Sequence, residues 1–442
     1  MKVTAVFDIG KTNKKILLFD RGFRIVHQNE IVFPEITDDD DFRCDDIEKL
    51  EEWILETMRE LTASEEFEVT AVNFATYGAT VVYLDENGKR LTPLYNYEKP
   101  LISPVDDETY ERYGGKTEFC RKTASPALGA LNSGFQILDL KRSKPEVWKK
   151  VKHILHFPQY LSFLLTGKIV SEHTSIGCHT AMWDFDEMKY HQWLNDEDFS
   201  LPEPEDIGKP VTVGINGKTI DVGIGIHDSS ASLVPYLVSA NENFILISTG
   251  TWCINMNPFN HSPLSKDELE NDCLNFLSIN MKPVKSSRLF LGRIHDLNVQ
   301  RLSDHFDVPS DFYKTVEVDE DMIQSLIKKE AVFFKNGVSA DHIDNSVDLN
   351  GFNNFELAYH SLTVDLARMV KYSVDLVMDD DNRHLYITGG FTRNRIFTKT
   401  ISAFYKDKEI YTSDIDNATS LGAAMLLQKD DLKDFDPGMK KV

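Results

Sequence analysis

Four short stretches of this sequence set polar side chains beside glycine, a combination that lets a ligand approach the backbone closely. In Asp8-Ile9-Gly10-Lys11-Thr12-Asn13, Gly10 permits a sharp turn. Thr12, Asn13 and the turn N–H groups there form a concave set of donors suited to phosphate oxygens. Asp8, at the end of the preceding strand, would face the same space and could hold a divalent cation directly or through water. The plainer reading is a hairpin with a glycine turn and a capping Asp. Ser248-Thr249-Gly250-Thr251 repeats the device, a glycine turn flanked by hydroxyls. In Gly223-Ile224-Gly225-Ile226-His227-Asp228 a strand ends in a glycine bend, and Ser229–Ser232 are small residues that can start a helix. Asp228 then stands at a helix N-terminus, where two readings are open: a cap for the helix or a base for a reaction. His227 beside it would either hydrogen-bond a ligand hydroxyl or sit as a partly buried structural histidine. Thr388-Gly389-Gly390-Phe391-Thr392-Arg393-Asn394 runs from a strand through two glycines into a helix, which lets a flat ring approach; the Gly-x-Gly-x-x-Gly of a dinucleotide fold is absent.

These stretches need elements to position them. Val3–Asp8, Lys15–Phe19 and Ile25–Val32 read as three strands, Asp45 to Leu61 as an amphipathic helix with Asp45 and Asp46 favoured near its start, and Val69–Phe74 as a returning strand. That is an α/β unit. Pro145–Thr166 reads as helix broken at Pro158, and Ser200–Asp221 as loops with short strands. A second unit begins near Asn243. Phe244–Ser248 and Trp252–Met256 are strands around the second glycine turn, so the opening device is used twice. Phe355–Val377 is a long helix, His384–Thr388 and Glu409–Thr412 are strands, and Asn417–Gln428 is a final helix whose small residues suit close packing. The element order places a domain boundary near residue 240, giving units 1–240 and 241–442.

The composition supports two globular cores in a chain of 442 residues, with 41% hydrophobic and 27% charged residues. A formal net charge of -23 argues against nucleic acid or an anionic membrane as the partner, since both are polyanions. It leaves room for a small nucleotide held by local donors. The acidic runs Asp38–Asp41 and Asp379–Asp381 read as solvated loops without a metal pattern. The five cysteines show no Cys-x-x-Cys spacing, and no apolar run reaches about 18 residues. The N-terminus runs straight into a strand pattern. The expectation is a chain of the reducing cytoplasm, with no membrane partner.

In this order the four stretches resemble the FGGY family of carbohydrate kinases, along essentially the whole chain. His227-Asp228-Ser229-Ser230-Ala231-Ser232 and Ile247-Ser248-Thr249-Gly250-Thr251-Trp252 are most similar to its rhamnulokinase branch. The resemblance implies two actin-like ATPase (ribonuclease H-like) domains flanking a central cleft, the first binding sugar and carrying the base, the second binding nucleotide. It implies ATP and Mg2+ as cofactors and a small ketose or deoxyketose as substrate, L-rhamnulose-like in preference to L-fuculose or xylulose. A non-catalytic nucleotide-binding regulator on the same fold is the alternative, and a monomer or homodimer the expected assembly. Carried over by residue, Asp228 is the base, and Asp8 with Asp228 holds Mg2+. Gly10, Lys11, Thr12, Asn13, Thr249, Gly250 and Thr251 face the ATP phosphates, and Gly389, Gly390 and Asn394 border the adenosine. Lys11, an unusual cation in the turn, either reaches phosphate or points to water. For the sugar the candidates are Thr76, Tyr77, Gly78, Ala79, Gln159 and His227, with a plain surface amide as the other reading of Gln159. Two departures stand out. Tyr95-Asn96-Tyr97-Glu98-Lys99 replaces an aromatic followed by Asp and Arg, and the acidic, glycine-rich segment after the second turn is missing around Asn275–Asn280.

Overall fold

A computed structural model describes the backbone of residues 1–442 and all side chains except those of Asp430, Lys433 and Asp434. Two seven-stranded sheets organise it. The first contains β1 (Lys2–Ile9), β2 (Lys14–Phe19), β3 (Ile25–Ile31), β4 (Glu68–Thr76), β5 (Val211–Ile215), β6 (Lys218–Val222) and β7 (Ile226–His227). Its order is β5-β6-β4-β1-β2-β3, with β7 also on β4. The second contains β8 (Phe244–Thr249), β9 (Cys253–Asn257), β10 (Cys273–Leu277), β11 (Pro283–Leu289), β12 (His384–Gly389), β13 (Glu409–Ser413) and β14 (Lys440–Lys441), in the order β10-β11-β9-β8-β12-β13-β14. Each sheet has the same heart. An antiparallel hairpin, β1–β2 or β8–β9, carries the glycine turn, and a parallel strand, β4 or β12, flanks it.

Side-chain alternation explains the layering. On β1 and β2, Val3, Ala5, Phe7, Ile9, Ile16 and Leu18 face one way, against α1 (Ile47–Ala63) and α2 (Phe157–Thr166). Val6, Leu17 and Phe19 face the other way, against α3 (Asp228–Ser239) and the late helix α7 (Ala418–Met425). The helix α3 joins the two sheets. Its Ala231 and Val234 pack on the first, while Leu233 and Tyr236 pack with Phe244, Leu246 and Met256 of the second. The other face of the second sheet carries Ile245 and Ile247 against α4 (Leu291–Phe306), α5 (Phe355–Asp375) and α6 (Arg395–Phe404). Asp228 therefore begins the helix on which both halves converge.

Three expectations are corrected. Pro158 does not break a helix: it lies in the first turn of α2, where its missing N–H costs nothing, and the residues before it, His153–His156, form a strand paired with Val81–Leu84. Asp45 is not part of the helix start. Asp46 caps α1 through Lys49 N–H, while Asp45 is buried in an ion network described below. The run Asp38–Asp41 is not simply solvated: the Asp38 side chain is fully buried and bound by Lys99, which also reaches Asp40, while Lys144 holds Asp39 and Asp40 at 2.7 Å. Among the described residues no helix is long and apolar enough to cross a membrane.

Candidate active site

The first turn is tight, with Gly10 N–H donating to Asn13 O at 2.9 Å. Gly10 does not adopt the left-handed backbone that would by itself demand glycine; a Cβ there would stand 3.1 Å from Asn13 O. Thr12 and Asn13 are exposed, free to meet a ligand. Lys11 does neither of the things its position suggested. Its ammonium binds Asp45 at 2.7 Å and Glu35 at 3.3 Å and lies 5.9 Å from the Tyr77 ring. Burial alone would push that ammonium down, but the two carboxylates hold it above the usual lysine value. Behind it the buried Lys14 binds Asp45 at 2.9 Å, and Tyr77 Oη donates to Asp45 at 2.8 Å. Burial would raise Asp45, yet Lys11 and Lys14 keep its carboxyl below the usual range. The turn is thus braced from behind by charge.

The second turn is braced differently. Thr249 does not offer its hydroxyl to a ligand; Oγ1 donates to Thr388 O and accepts from Phe391 N–H at 3.1 Å. Gly389 has φ 85 and approaches Thr249 so closely that a Cβ would lie 1.8 Å from its carbonyl oxygen. Gly292, at the start of α4, presses on the turn from the other side and donates to Thr251 O at 3.1 Å. Gly250 and Thr251 remain exposed. They open on a pocket of about 230 Å3 whose far wall is Gly390 and Asn394 and whose sides are the His295, Tyr313 and Phe391 rings. Asn394 caps α6 through Phe397 N–H and donates to Tyr359 Oη at 2.9 Å, so its job is to fix that wall.

Between the two turns in chain order stands Asp228. It is the first residue of α3, with His227 in the cap position. Oδ1 accepts from Ser229 N–H at 2.6 Å and Ser229 Oγ at 3.2 Å, and His227 Nε2 lies 3.2 Å away. Among the described residues no donor reaches Oδ2. The carboxylate therefore serves the helix start with one oxygen and keeps the other open. Burial pushes its pKa up to about 6 against the Ser229 hydrogen bonds. Across the junction Asp8 Oδ2 accepts from Ser420 Oγ at 2.6 Å, and its pKa is raised by burial and by the charge of Asp228.

Comparison with known proteins settles the family. Residues 3–197 match the N-terminal domain model, and residues 241–434 the C-terminal domain model, of the FGGY carbohydrate kinases. The chain belongs to the FGGY family of carbohydrate kinases. A rhamnulokinase of Oceanobacillus iheyensis is 22% identical over 83% of this chain and 80% of its own length. The fold is shared with a carbohydrate kinase from Novosphingobium aromaticivorans, at TM-score 0.81 and 21% identity over 99% of this chain and 93% of that one. It is shared also with a xylulose kinase from Lactobacillus acidophilus, at TM-score 0.76 and 16% identity over 100% of this chain and 93% of that one.

For this FGGY kinase, an ATP-dependent sugar kinase, the remaining candidates divide. Gly78 and His227 lie against each other beside Asp228: a Cβ on Gly78 would meet the His227 ring at 3.0 Å. Thr76 pairs with His227 across β4 and β7, but its hydroxyl donates to Tyr77 O. The Tyr77 hydroxyl is spent on Asp45, and Ala79 is buried with its carbonyl held by Gln136. Gln159 is neither a surface amide nor open to a ligand. It is fully buried and donates to Ile224 O at 3.1 Å and Gly225 O at 3.2 Å, fixing the bend that leads to Asp228.

Several residues at the site were missed in the sequence. Lys15, opposite Asp8 across β1 and β2, has no carboxylate partner among the described residues and donates to Asn417 Oδ1 at 3.3 Å. Tyr97 lies 6.0 Å from the Tyr77 ring, and its phenol is pushed up by burial and then by the charges of Glu98, Asp45 and Asp228. On the second sheet the exposed Trp252 stacks on Phe290 at 4.5 Å, with the Arg288 guanidinium 5.6 Å from its ring. Lys15, Phe290 and Arg288 carry no motif signal, while Tyr97 and Trp252 lie in stretches named above, without a role assigned to them there.

Proposed function

We propose that this kinase transfers the γ-phosphate of Mg-ATP to a hydroxyl of a small ketose or deoxyketose, with Asp228 as the general base. The observation that carries the reading is the open Oδ2 of Asp228, at the head of the helix between the two glycine turns. A carboxylate whose proton leaves near neutrality is suited to take a proton from an alcohol. The exposed donors Thr12, Asn13 and Thr251 and the N–H groups of their turns would align the phosphates, with Lys15 supplying charge. Gly390 and the ring-lined pocket beyond Gly250 suit the adenosine. Residues 1–240 would then supply the base and most of the sugar site, and residues 241–442 the nucleotide site.

The donor set fits Mg2+. Asp8 feels the charge of Asp228, each has one oxygen that no donor reaches among the described residues, and no Lys or Arg is in an ion pair with either there. A hard cation held directly or through water would offset both charges, leave Oδ2 of Asp228 to the sugar, and supply charge compensation to the phosphates when bound. Asp228 would hold the sugar hydroxyl through Oδ2 and accept its proton as the oxygen attacks phosphorus in line. A burial-raised carboxyl helps here, because it is more basic than a solvated Asp.

For the sugar, the rhamnulokinase relative supports an L-rhamnulose-like ketose, and the xylulose kinase neighbour keeps xylulose as the second reading. The five buried free cysteines suit a reducing cytoplasm. The test is ADP release with Mg-ATP across ketoses, aldoses and polyols, with wild type and Asp228→Asn. The variant keeps an acceptor for Ser229 N–H but cannot take a proton, so kcat drops at least ~10²-fold while melting is unchanged. Near-normal turnover by a folded Asp228→Asn would refute the base.

A further inference from the structure

Behind the base lies a small buried chain of hydrogen-bonding groups. His227 is 5% exposed and Cys178 is 4% exposed. The His227 ring rests on the backbone of Gly78, which has no side chain to push it away, and Nε2 lies 3.1 Å from Cys178 Sγ and 3.2 Å from Asp228 Oδ1. Cys178 Sγ in turn lies 3.2 Å from His179 Nδ1. The proton positions follow from the partners. A carboxylate oxygen only accepts, so Nε2 of His227 carries the hydrogen and Nδ1 is the unprotonated nitrogen. Nδ1 has no partner among the described residues, which leaves a bare lone pair there and not an orphaned donor. With Nε2–H on the sulfur and Oδ1 a close contact at 3.2 Å, the thiol hydrogen has His179 Nδ1 as its acceptor. His179 itself is held in the left-handed region at φ 39, with its carbonyl fixed by Asn132 Nδ2 at 2.9 Å. A non-glycine residue in that region costs free energy and persists only where its surroundings impose it.

We infer that Cys178 and His179 are positioning residues for the catalytic base: they hold the His227 ring with Nε2–H on the sulfur and its edge 3.2 Å from Oδ1 of Asp228, leaving Oδ2 to meet the sugar hydroxyl. The inference rests on the reading of Asp228 as base. Cys178 touches neither turn and lies outside the ring-lined nucleotide pocket. Its loss acts on the rate of the chemical step and not on nucleotide binding. If the ring rotates, its contact with Oδ1 is lost and the carboxylate is free to turn; misplacement of a reacting group by about 1 Å costs as much as ~10²-fold in rate.

The experiment compares two variants in the full-length enzyme, one slightly larger than cysteine and one slightly smaller. Cys178→Val fills the space without hydrogen bonding, and Cys178→Ser keeps a group that donates to His179 and accepts from His227. Steady-state kinetics with Mg-ATP and the best sugar of the panel are expected to give Val a kcat at least about 10-fold below Ser, with the ATP KM of both within about twofold of wild type. In an Asp228→Asn background the Val/Ser difference disappears, because the group they position is gone. Equal kcat for Val and Ser, or a difference that persists without Asp228, overturns the inference while leaving the base intact. Normal turnover by Asp228→Asn alone removes the base reading, whatever Cys178 does. Melting curves identify a variant that does not fold. If Val does not, Cys178→Ala takes its place against Ser on the same criterion.

Discussion

The two glycine turns do the same geometric job with opposite means. Both close an antiparallel hairpin beside a parallel strand, and both leave a hydroxyl residue, Thr12 or Thr251, exposed at the tip. The first is propped by charge, with Lys11 and Lys14 on the buried Asp45. The second is propped by missing side chains, since Gly389 and Gly292 let backbone press on backbone. One is sensitive to the removal of a partner charge, the other to a single added methyl.

The largest effect belongs to the second turn. Gly389→Ala places a methyl 1.8 Å from Thr249 O in a left-handed backbone and is expected to destabilise by roughly 3–5 kcal/mol, counting overpacking and strain together. Gly390→Ala, one residue on, meets open space and should fold normally. Urea unfolding of the pair decides it; equal midpoints would mean that the close approach is not what holds the turn.

Next comes the charge brace. Asp45→Asn leaves Lys14 buried without its carboxylate, a loss of about 3 kcal/mol. Its pH dependence has a definite sign. Because the folded carboxyl lies below its ordinary value, the stabilisation is complete above about pH 4 and is lost as pH falls through the folded value. The gap between wild type and Asp45→Asn is therefore flat from pH 8 to 5 and narrows in stronger acid. A gap that widens on acidification would contradict the network.

The smallest effects separate the turns themselves. Gly10→Ala brings a methyl to 3.1 Å from Asn13 O, while in Gly250→Ala the nearest atom is 3.6 Å away. Neither has a left-handed backbone to protect, so both should cost under about 1 kcal/mol, the first more than the second. Both methyls would narrow the space for the phosphates, and the ATP KM should rise in each. Unchanged ATP KM in both would detach the turns from nucleotide binding.

Much of the architecture was legible because it rests on periodicity and glycine position. The β1–β2 and β8–β9 hairpins, α1, α5 and the last helix follow directly from apolar spacing. Pro158 misled because the same residue that interrupts a helix also opens one, and only the pairing of His153–His156 with Val81–Leu84 tells the two apart. At the candidate site, Gly10 and Gly250 fall in tight hairpin turns and Asp228 starts a helix, as the sequence pattern suggested. The side chains did less well. Lys11, Thr249, Tyr77 and Gln159 are polar residues whose donors are spent on the protein, on Asp45, Thr388, Asp45 again, and the Ile224–Gly225 bend. Sequence order reports where the backbone turns, but not which side chain is already satisfied by a residue distant in the chain.

The last helix shows how far that distance reaches. Ser420 binds Asp8, the Asn73 amide donates to Ala423 O, and Gly422 admits the Ala231 carbonyl to a distance no side chain would allow. Leu421 to Leu426 complete the apolar layer that Val6, Leu17 and Val234 begin. During synthesis, then, the first half cannot close its own core: it waits, with a greasy flank uncovered, until the helix Ala418–Met425 has been made. A chain interrupted before residue 418 would lack more than a C-terminal appendage, because the first-made half would stay unfinished and prone to stick, and premature termination should be read out as aggregation of the N-terminal half.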